Sequence, residues 1–377
     1  DDYGKIFKIN LKDLNGADKL GIIMRKGNWD SRDIDQDRFI DLTKATEGVL
    51  NVYLLEGDSN IYYSEADVDL TPRLSTATFK SLNKIMFTGA APITSTEGVE
   101  VRDSQGNILE LDQVMLDESS SSIVALLKEN ISLEDSYTIA KEGFKDAIEV
   151  SFTGLFDSEE FNDAFYYEGD DLGFTYSKDK TSFRVWAPTA SHVVLNLYEA
   201  GSGDNLIEQI DMTRDVKGTW VADVSGDLNL TYYTYEVTVS GQTNEAVDPY
   251  ARAVGVNGNR AMVVDLDLTD PENWSSDVSP EFSGTPTDAV IYELHMRDWS
   301  SHESAGFKNI GKFLQFTEEG ATDHLTDLGI THLHLLPAFD HRSIDETKLD
   351  EPQFNWGYDP QNYNVPEGSY STNPEHG

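Results

Sequence analysis

For most of its length the chain alternates hydrophobic and polar positions in short blocks, and the texture changes near residue 283. The clearest alternation is Ser182-Phe-Arg-Val-Trp-Ala-Pro, which sets Phe183 and Val185 on one face of a strand. His192-Val-Val-Leu-Asn-Leu-Tyr follows after a short turn, and Thr231-Tyr-Tyr-Thr-Tyr-Glu-Val-Thr-Val brings Tyr233, Tyr235, Val237 and Val239 together. Three such strands with turns between them describe a β-sandwich. Their aromatics fall on the face that becomes core, which argues against an open sugar-binding surface there. Upstream, Lys19-Leu-Gly-Ile-Ile-Met-Arg and Val49-Leu-Asn-Val-Tyr-Leu-Leu read as buried strands, with Ser59-Asn-Ile-Tyr-Tyr-Ser after them. Lys84-Ile-Met-Phe, Val99-Glu-Val-Arg and Ala147-Ile-Glu-Val-Ser-Phe continue the β texture, and Asp117-Glu-Ser-Ser-Ser-Ser reads as a polar linker or loop tip. No chemistry is apparent in that stretch, which reads as a small Ig-like spacer with a solvated acidic face.

Beyond residue 283 the pattern becomes α/β. Ala289-Val-Ile-Tyr-Glu-Leu-His-Met reads as a strand, and Ala321, Leu325 and Leu328 recur at helical spacing before Gly329, a helix stop. Thr331-His-Leu-His-Leu-Leu then reads as a buried second strand. Strand, helix and strand in this order form the repeating unit of a (β/α)8 barrel. The expected organisation is therefore multidomain: β-modules at 1–81, 82–165 and 166–282, then the beginning of a TIM barrel at 283–377.

The second strand feeds a long polar, aromatic loop, Phe354-Asn-Trp-Gly-Tyr-Asp-Pro. Trp356 and Tyr358 offer flat apolar faces with polar edges, which suits the C–H face of a sugar ring. Gly357 allows the backbone to turn between them, Asp359 supplies an acceptor, and Pro360 stiffens the exit. On these residues alone, a packed surface loop whose aromatics fill gaps remains the alternative.

Charge narrows the partners. The chain has 377 residues, 28 basic and 68 acidic side chains, and a formal net charge of −40, a surface that repels phosphate backbones and anionic membranes. A neutral polysaccharide is a large polymer that such a surface does not exclude. Aromatic residues at 11% argue against disorder, and the absence of cysteine removes disulfides and thiolate metal sites. No apolar run approaches the ~18 residues of a membrane span, and the first residues show no basic region followed by an apolar stretch.

The loop resembles the Y-N-W-G-Y-D-P signature of type I pullulanases, the α-1,6-debranching members of the α-amylase superfamily, with Phe354 where the family has Tyr. The resemblance runs on through Asn364-Val-Pro-Glu-Gly-Ser-Tyr-Ser-Thr-Asn-Pro-Glu and back to Val290-Ile-Tyr-Glu-Leu-His-Met-Arg-Asp, which resembles the family's first barrel strand. Phe183-Arg-Val-Trp-Ala-Pro-Thr-Ala resembles a family 48 carbohydrate-binding module, and residues 82–165 sit where the family carries its spacer. Around Trp29 the chain resembles a family 41 starch-binding module. There Arg32 and Asp37 take the places of glucan-bonding residues, and Trp29 is either a ring platform or a core anchor.

This resemblance implies a retaining glycosidase acting on pullulan, starch, glycogen or maltooligosaccharides at the bacterial surface or outside the cell. It also implies a glucan contact set of Asn355, Trp356, Tyr358 and Asp359, with Tyr358 stacking on the ring in subsite −1. The family's nucleophile, acid/base and third carboxylate follow later barrel strands, so no catalytic residue is expected in this chain; the remainder of the barrel would lie downstream or on a companion chain. Asp298 and Asp340 read as local hydrogen-bond partners. No cofactor is required, although a structural calcium ion is compatible with the family. Asp33, Asp35 and Asp37 fail the spacing of an EF-hand, which wants Gly at Arg38 and Glu at Lys44. His295, His332, His334 and His341 alternate as wall or loop residues, which gives no zinc site. A non-catalytic α-glucan-binding surface protein built from the same modules is the alternative.

Overall fold

The computed structural model describes residues 8–14, 16–26, 31–34, 36–55, 58–117 and 122–376. The chain divides into two compact units, residues 1–166 and 167–377.

The first unit opens with two small antiparallel ribbons. Strand β1 (Lys19–Ile22) pairs with β4 (Arg38–Asp41), and β2 (Arg25–Lys26) with β3 (Ser31–Arg32). The stretch expected to be a buried strand at β1 alternates between exposed and half-buried positions, because a two-stranded ribbon leaves one face in water. The strand expected from Val49 does not form. Its backbone is held by isolated bridges, Thr46 to Val49 and Tyr53 to Tyr62, so the apolar run lacks the continuous partner that a ladder requires.

The main sheet of this unit runs in the order β5 (Leu74–Ser81), β6 (Lys84–Gly89), β9 (Ser122–Leu127), β8 (Leu111–Asp117). A second sheet is ordered β11 (Ile148–Glu149), β10 (Tyr137–Lys141), β7 (Val99–Asp103). Phe79, Phe87, Val101, Ile123 and Ile139 are fully enclosed in one core with Leu74. Strand β5, which precedes residue 82, shares this core: β5 and β6 form one hairpin, and a boundary between them would cut it. Asp117 and Ser122 are register partners at the ends of β8 and β9; residues 118–121 of the acidic-serine stretch lie outside the described residues. Helix α1 (Glu159–Phe165) closes the unit, capped by Ser158 Oγ accepting from Phe161 N.

The second unit contains the expected sandwich. One sheet is ordered β12 (Gly173–Tyr176), β13 (Lys180–Trp186), β17 (Thr219–Ser225), β16 (Thr213–Arg214). The other is ordered β15 (Leu206–Asp211), β14 (His192–Tyr198), β18 (Tyr232–Val239), β19 (Gln242–Ala246), with β20 (Ala261–Met262) also on β18. Phe183, Val185, Tyr233 and Tyr235 meet in the core, as alternation requires, and Tyr233 packs edge-on against Phe183 at 5.0 Å. Burying tyrosine needs a partner for its hydroxyl. Tyr233 and Tyr235 both donate to Asp248, at 2.7 and 3.4 Å.

After the sandwich, β21 (Ile291–Leu294) and β22 (His332–Leu335) form a parallel pair, with helix α2 (Asp323–Asp327) between them in sequence. Ala321 and Leu325 are buried, and Gly329 turns the chain with φ +71°. The expectation of a buried second strand is corrected. Every residue of β22 is exposed, Leu335 to 40%, because two strands alone leave their faces without a covering layer. The last hairpin, β23 (Phe339–His341) with β24 (Pro360–Pro366), sends Val365 back into the core of the sandwich.

Candidate functional site: an aromatic loop beside a buried carboxylate cluster

Residues 354–360 connect the loop after β23 to β24. Gly357 is buried with φ +75°, a left-handed turn that favours glycine and throws Trp356 and Tyr358 to the same side. Their rings are 57% and 54% exposed, 6.3 Å apart and inclined by 48°. Such large aromatic faces left open on a braced loop can receive an apolar ring face. Asn355 goes the other way. It is buried, and its Nδ2 donates to the hydroxyl of the buried Tyr370 at 2.9 Å, which braces the loop from beneath, while its Oδ1 is enclosed without a protein partner. Asp359 is half-buried; its carbonyl accepts from Arg342 N at 3.1 Å, and its Oδ1 is enclosed without a protein partner. Phe354 is 79% exposed.

Beside the loop lies a cluster that sequence reading did not find. Asp340, Glu346 and Glu367 are buried and bring carboxylate oxygens within 4.8 Å of one another. Burial pushes Asp340 up to about 6, with Glu367 adding to the rise and Asn362 opposing it. Burial likewise pushes Glu346 up to about 7, and its two acidic neighbours add to that. Glu367 behaves oppositely. Burial opposes its ionisation, but the His341 ring and Ser369 outweigh it and hold the carboxyl below its ordinary value. His341 Nδ1 lies 2.9 Å from Glu367, and this partner raises its affinity for a proton although burial works against the charge. Burial and mutual repulsion thus favour the protonated forms of Asp340 and Glu346, while the His341 ring favours the ionised form of Glu367. Gly368 makes room for the cluster: a Cβ at residue 368 would fall 2.2 Å from Glu346 Oε1.

Among the described residues this trio is the one group of acidic side chains placed to hold a cation. It does not fit calcium, which takes six to eight oxygen ligands. The surroundings are donors instead: Asn257 N to Glu346 at 2.6 Å, His341 N and Ser369 N to Glu367 at 2.9 and 3.0 Å, and Asn362 Nδ2 to Asp340 at 2.6 Å. The Lys312 ammonium also faces Glu346 and Glu367.

Of the remaining candidates, Trp29 lies outside the described residues, as does the side chain of Arg32, whose backbone pairs with Arg25. Asp37 is exposed immediately before β4. Asp298 is exposed and takes Arg297 Nε at 3.1 Å; Asp340 bonds Asn362 as a local partner. His332 and His334 are exposed on β22, while His341 is enclosed.

The sandwich and its loop define a class first: residues 171–251 match the family described as carbohydrate-binding module 48, the isoamylase N-terminal domain, and residues 1–63 match the bacterial pullanase-associated domain. The similar proteins include pullulanases. The chain is 41% identical over 224 residues to the pullulanase of Bacillus subtilis (strain 168), a match covering 57% of this chain and 30% of that one. It superposes on a pullulanase from Bacillus acidopullulyticus with a TM-score of 0.72 at 30% identity, covering 80% of this chain and 51% of the other. A pullulanase from Paenibacillus barengoltzii, solved in complex with maltohexaose and α-cyclodextrin, gives 51% identity and a TM-score of 0.56 over 59% of this chain and 36% of that one. The chain spans about a third of the length of the curated relatives it matches. No helix among the described residues is long and apolar enough to cross a membrane.

Proposed function

We propose that this chain serves a pullulanase-type glycoside hydrolase that cleaves α-1,6 links of pullulan, starch or glycogen with retention at the anomeric carbon, outside the cell or at its surface. Residues 283–377 are the beginning of its (β/α)8 barrel in this reading, which the parallel pairing of β21 with β22 supports. The observation that carries the proposal is the open pair of Trp356 and Tyr358 on a loop fixed from below by Asn355 and Tyr370. Similarity to pullulanases, one of them solved with maltohexaose, supports α-glucan as the ligand. Tyr358 stacks on the glucose whose bond is cut, and Asp359 holds that ring's hydroxyls or the loop beneath it. The two carboxylates that a retaining glycosidase needs about 5–5.5 Å apart belong to the remainder of the barrel. At the other end, Trp29, Arg32 and Asp37 line a second glucan contact on the first module.

Contacts that strengthen as the ring flattens towards an oxocarbenium ion lower the barrier and do more than tighten binding. In the enzyme carrying this chain, Tyr358→Ala is therefore expected to lower kcat/KM on pullulan chiefly through kcat, by about 2–4 kcal/mol. Steady-state kinetics with a thermal melt on each variant measures this. A raised KM with unchanged kcat would make Tyr358 a remote contact and overturn its placement.

A further inference from the structure

Both shoulders of the aromatic loop are tied to one short stretch of the sandwich. Asn257 and Gly258, in the loop between β19 and β20, have consecutive left-handed backbone angles, φ +60° and +63°, and their two carbonyls are presented together. Gln361, the residue after Pro360, donates Nε2 to both, at 3.2 Å to Asn257 O and 2.9 Å to Gly258 O. Asn362 adds Nδ2 to Gly258 O at 3.0 Å. The opposite shoulder is reached through one intermediate. Asn257 Nδ2 donates to Asp345 Oδ1 at 3.1 Å, and Asn257 Oδ1 accepts from Glu346 N at 2.7 Å. Asp345 N in turn donates to Gln353 Oε1 at 2.7 Å, and Gln353 Nε2 returns to Asp345 O and Lys348 O, each at 3.0 Å. Gln353 immediately precedes Phe354. Between these amides lies a polar cavity of about 330 Å³, lined also by His341, Arg342 and Ser343.

We propose that the loop between β19 and β20 of the sandwich sets the position of the aromatic loop, with Gln361 and Gln353 as the positioning residues that transmit it. The inference rests on reading Trp356 and Tyr358 as the glucan face. It gives the sandwich a role in affinity without any sugar contact of its own. It also explains why the loop keeps two large aromatic faces in water: the shoulders, and not packing of the rings, fix its course. Gln361 acts through its Nε2 donor, and Gln353 through Nε2 to two carbonyls and Oε1 to Asp345 N, so an isosteric glutamate removes every donated bond and keeps the shape.

The test uses the 377-residue chain carrying Gln361→Glu, Gln353→Glu, or both. Two readouts are taken: hydrogen exchange of the peptide spanning 354–360, and maltohexaose titration followed by tryptophan emission, with Trp356→Phe identifying the signal. Exchange in 354–360 should rise about tenfold or more in Gln361→Glu, and maltohexaose affinity should fall about tenfold, with the melting temperature of the sandwich unchanged. The double variant should lose more than either single one. Unchanged exchange in 354–360 overturns the inference whatever the affinity does. Faster exchange with unchanged affinity for a sugar that quenches Trp356 also overturns it, because the loop's position then does not matter to the ligand. If maltohexaose leaves the wild-type emission unaltered, the glucan reading of the loop fails, and the exchange readout alone still decides whether the glutamines position it.

Discussion

In the first unit, the buried Asp58 meets Arg73 at 2.8 Å, and the equally buried Arg38 meets Asp33 at 2.7 Å while donating to the carbonyls of Asp58 and Leu55. In the second, Asp340, Glu346 and Glu367 share one enclosed site, and the cations facing it are His341 and Lys312. The first arrangement matches each carboxylate to a guanidinium, which never gives up its proton. The second leaves more negative groups than cations and settles the difference with protons. Burial is similar, yet the direction of titration is opposite. Asp58 is pushed up by burial, but Tyr62, Asn60 and Arg73 outweigh it and hold the carboxyl below its ordinary value, whereas Asp340 and Glu346 are held above theirs. What a buried acid does is therefore decided by the valence of its neighbours and not by depth alone.

The largest expected effect comes from breaking the matched pair. Arg73→Ala leaves Asp58 enclosed with Tyr62 and Asn60 but without its cation, and removing one partner of a buried pair costs about 3–5 kcal/mol. Urea denaturation of the first unit, followed by exchange protection in β5, measures the loss. A loss below about 1 kcal/mol would mean that Asp58 simply takes up a proton, as the acids of the second unit do.

Next is the packing that seals the carboxylate cluster. A Cβ at Gly258 would lie 2.5 Å from Asp340 Oδ2 and 2.8 Å from Asn362 Nδ2, in a left-handed turn that also disfavours alanine. Gly258→Ala is expected to destabilise the second unit by about 2–4 kcal/mol and to leave the first unchanged. Separate exchange protection of β18 and β6 distinguishes the two outcomes.

The pH response follows in size and carries the comparison most directly. Where Asp340 and Glu346 titrate at about 6 and about 7, the folded second unit holds protons that the unfolded chain has already released. The stability from these two groups is then present at pH below about 4 and is lost as pH rises through that window. His341, held above its ordinary value, adds to the loss in the same direction; Glu367 works the other way, but only under acid conditions. Asp345 and Lys348, paired at 2.7 Å on the exposed side, keep their charges through the window. The first unit responds with opposite sign: Asp58 contributes above the ordinary carboxylate range and loses that contribution as pH falls. In melts between pH 5 and pH 8 the second unit should lose stability while the Asp58 contribution to the first stays constant, being lost only at lower pH, and Glu346→Gln should flatten the response of the second. Parallel shifts of both units would break the comparison.

The two clusters also show where sequence reading stopped. Alternation placed Phe183, Val185, Tyr233 and Tyr235 in the sandwich core, because a half-buried strand writes its inside and outside into every second residue. The open pair Trp356 and Tyr358 was legible for a similar reason: a short motif with a glycine between two aromatics encodes its own geometry. Strand Leu74–Ser81 was missed although it alternates, since polar threonine and serine fill its outer face and its partner lies across a tight turn. Val49 to Leu55 was misread because an apolar run becomes a strand only when another backbone runs beside it. Asp340, Glu346 and Glu367 come from separate positions along β23, the following loop and the end of β24, and no local pattern records that they converge. The same holds for Arg38, Asp58 and Arg73, where only tertiary contact reveals the pairing.

The smallest expected effect tests burial itself. Lys128 and Glu110 form an ion pair of 2.8 Å in the first unit, the same length as Arg73 with Asp58, but their side chains are 54% and 77% exposed. The contact with Lys128 draws Glu110 below its ordinary value and Lys128 above its own, the directions expected of any opposed pair. In water the attraction is screened within a Debye length of about 8–10 Å, and two long side chains must be ordered to keep the contact. No desolvated charge is stranded when one partner goes. Glu110→Gln should therefore leave the melting temperature of the first unit unchanged within error at both low and high salt. If it lowered stability as much as Arg73→Ala, pair length rather than enclosure would set the value of these contacts, and the distinction between the matched and proton-balanced clusters would lose its physical basis.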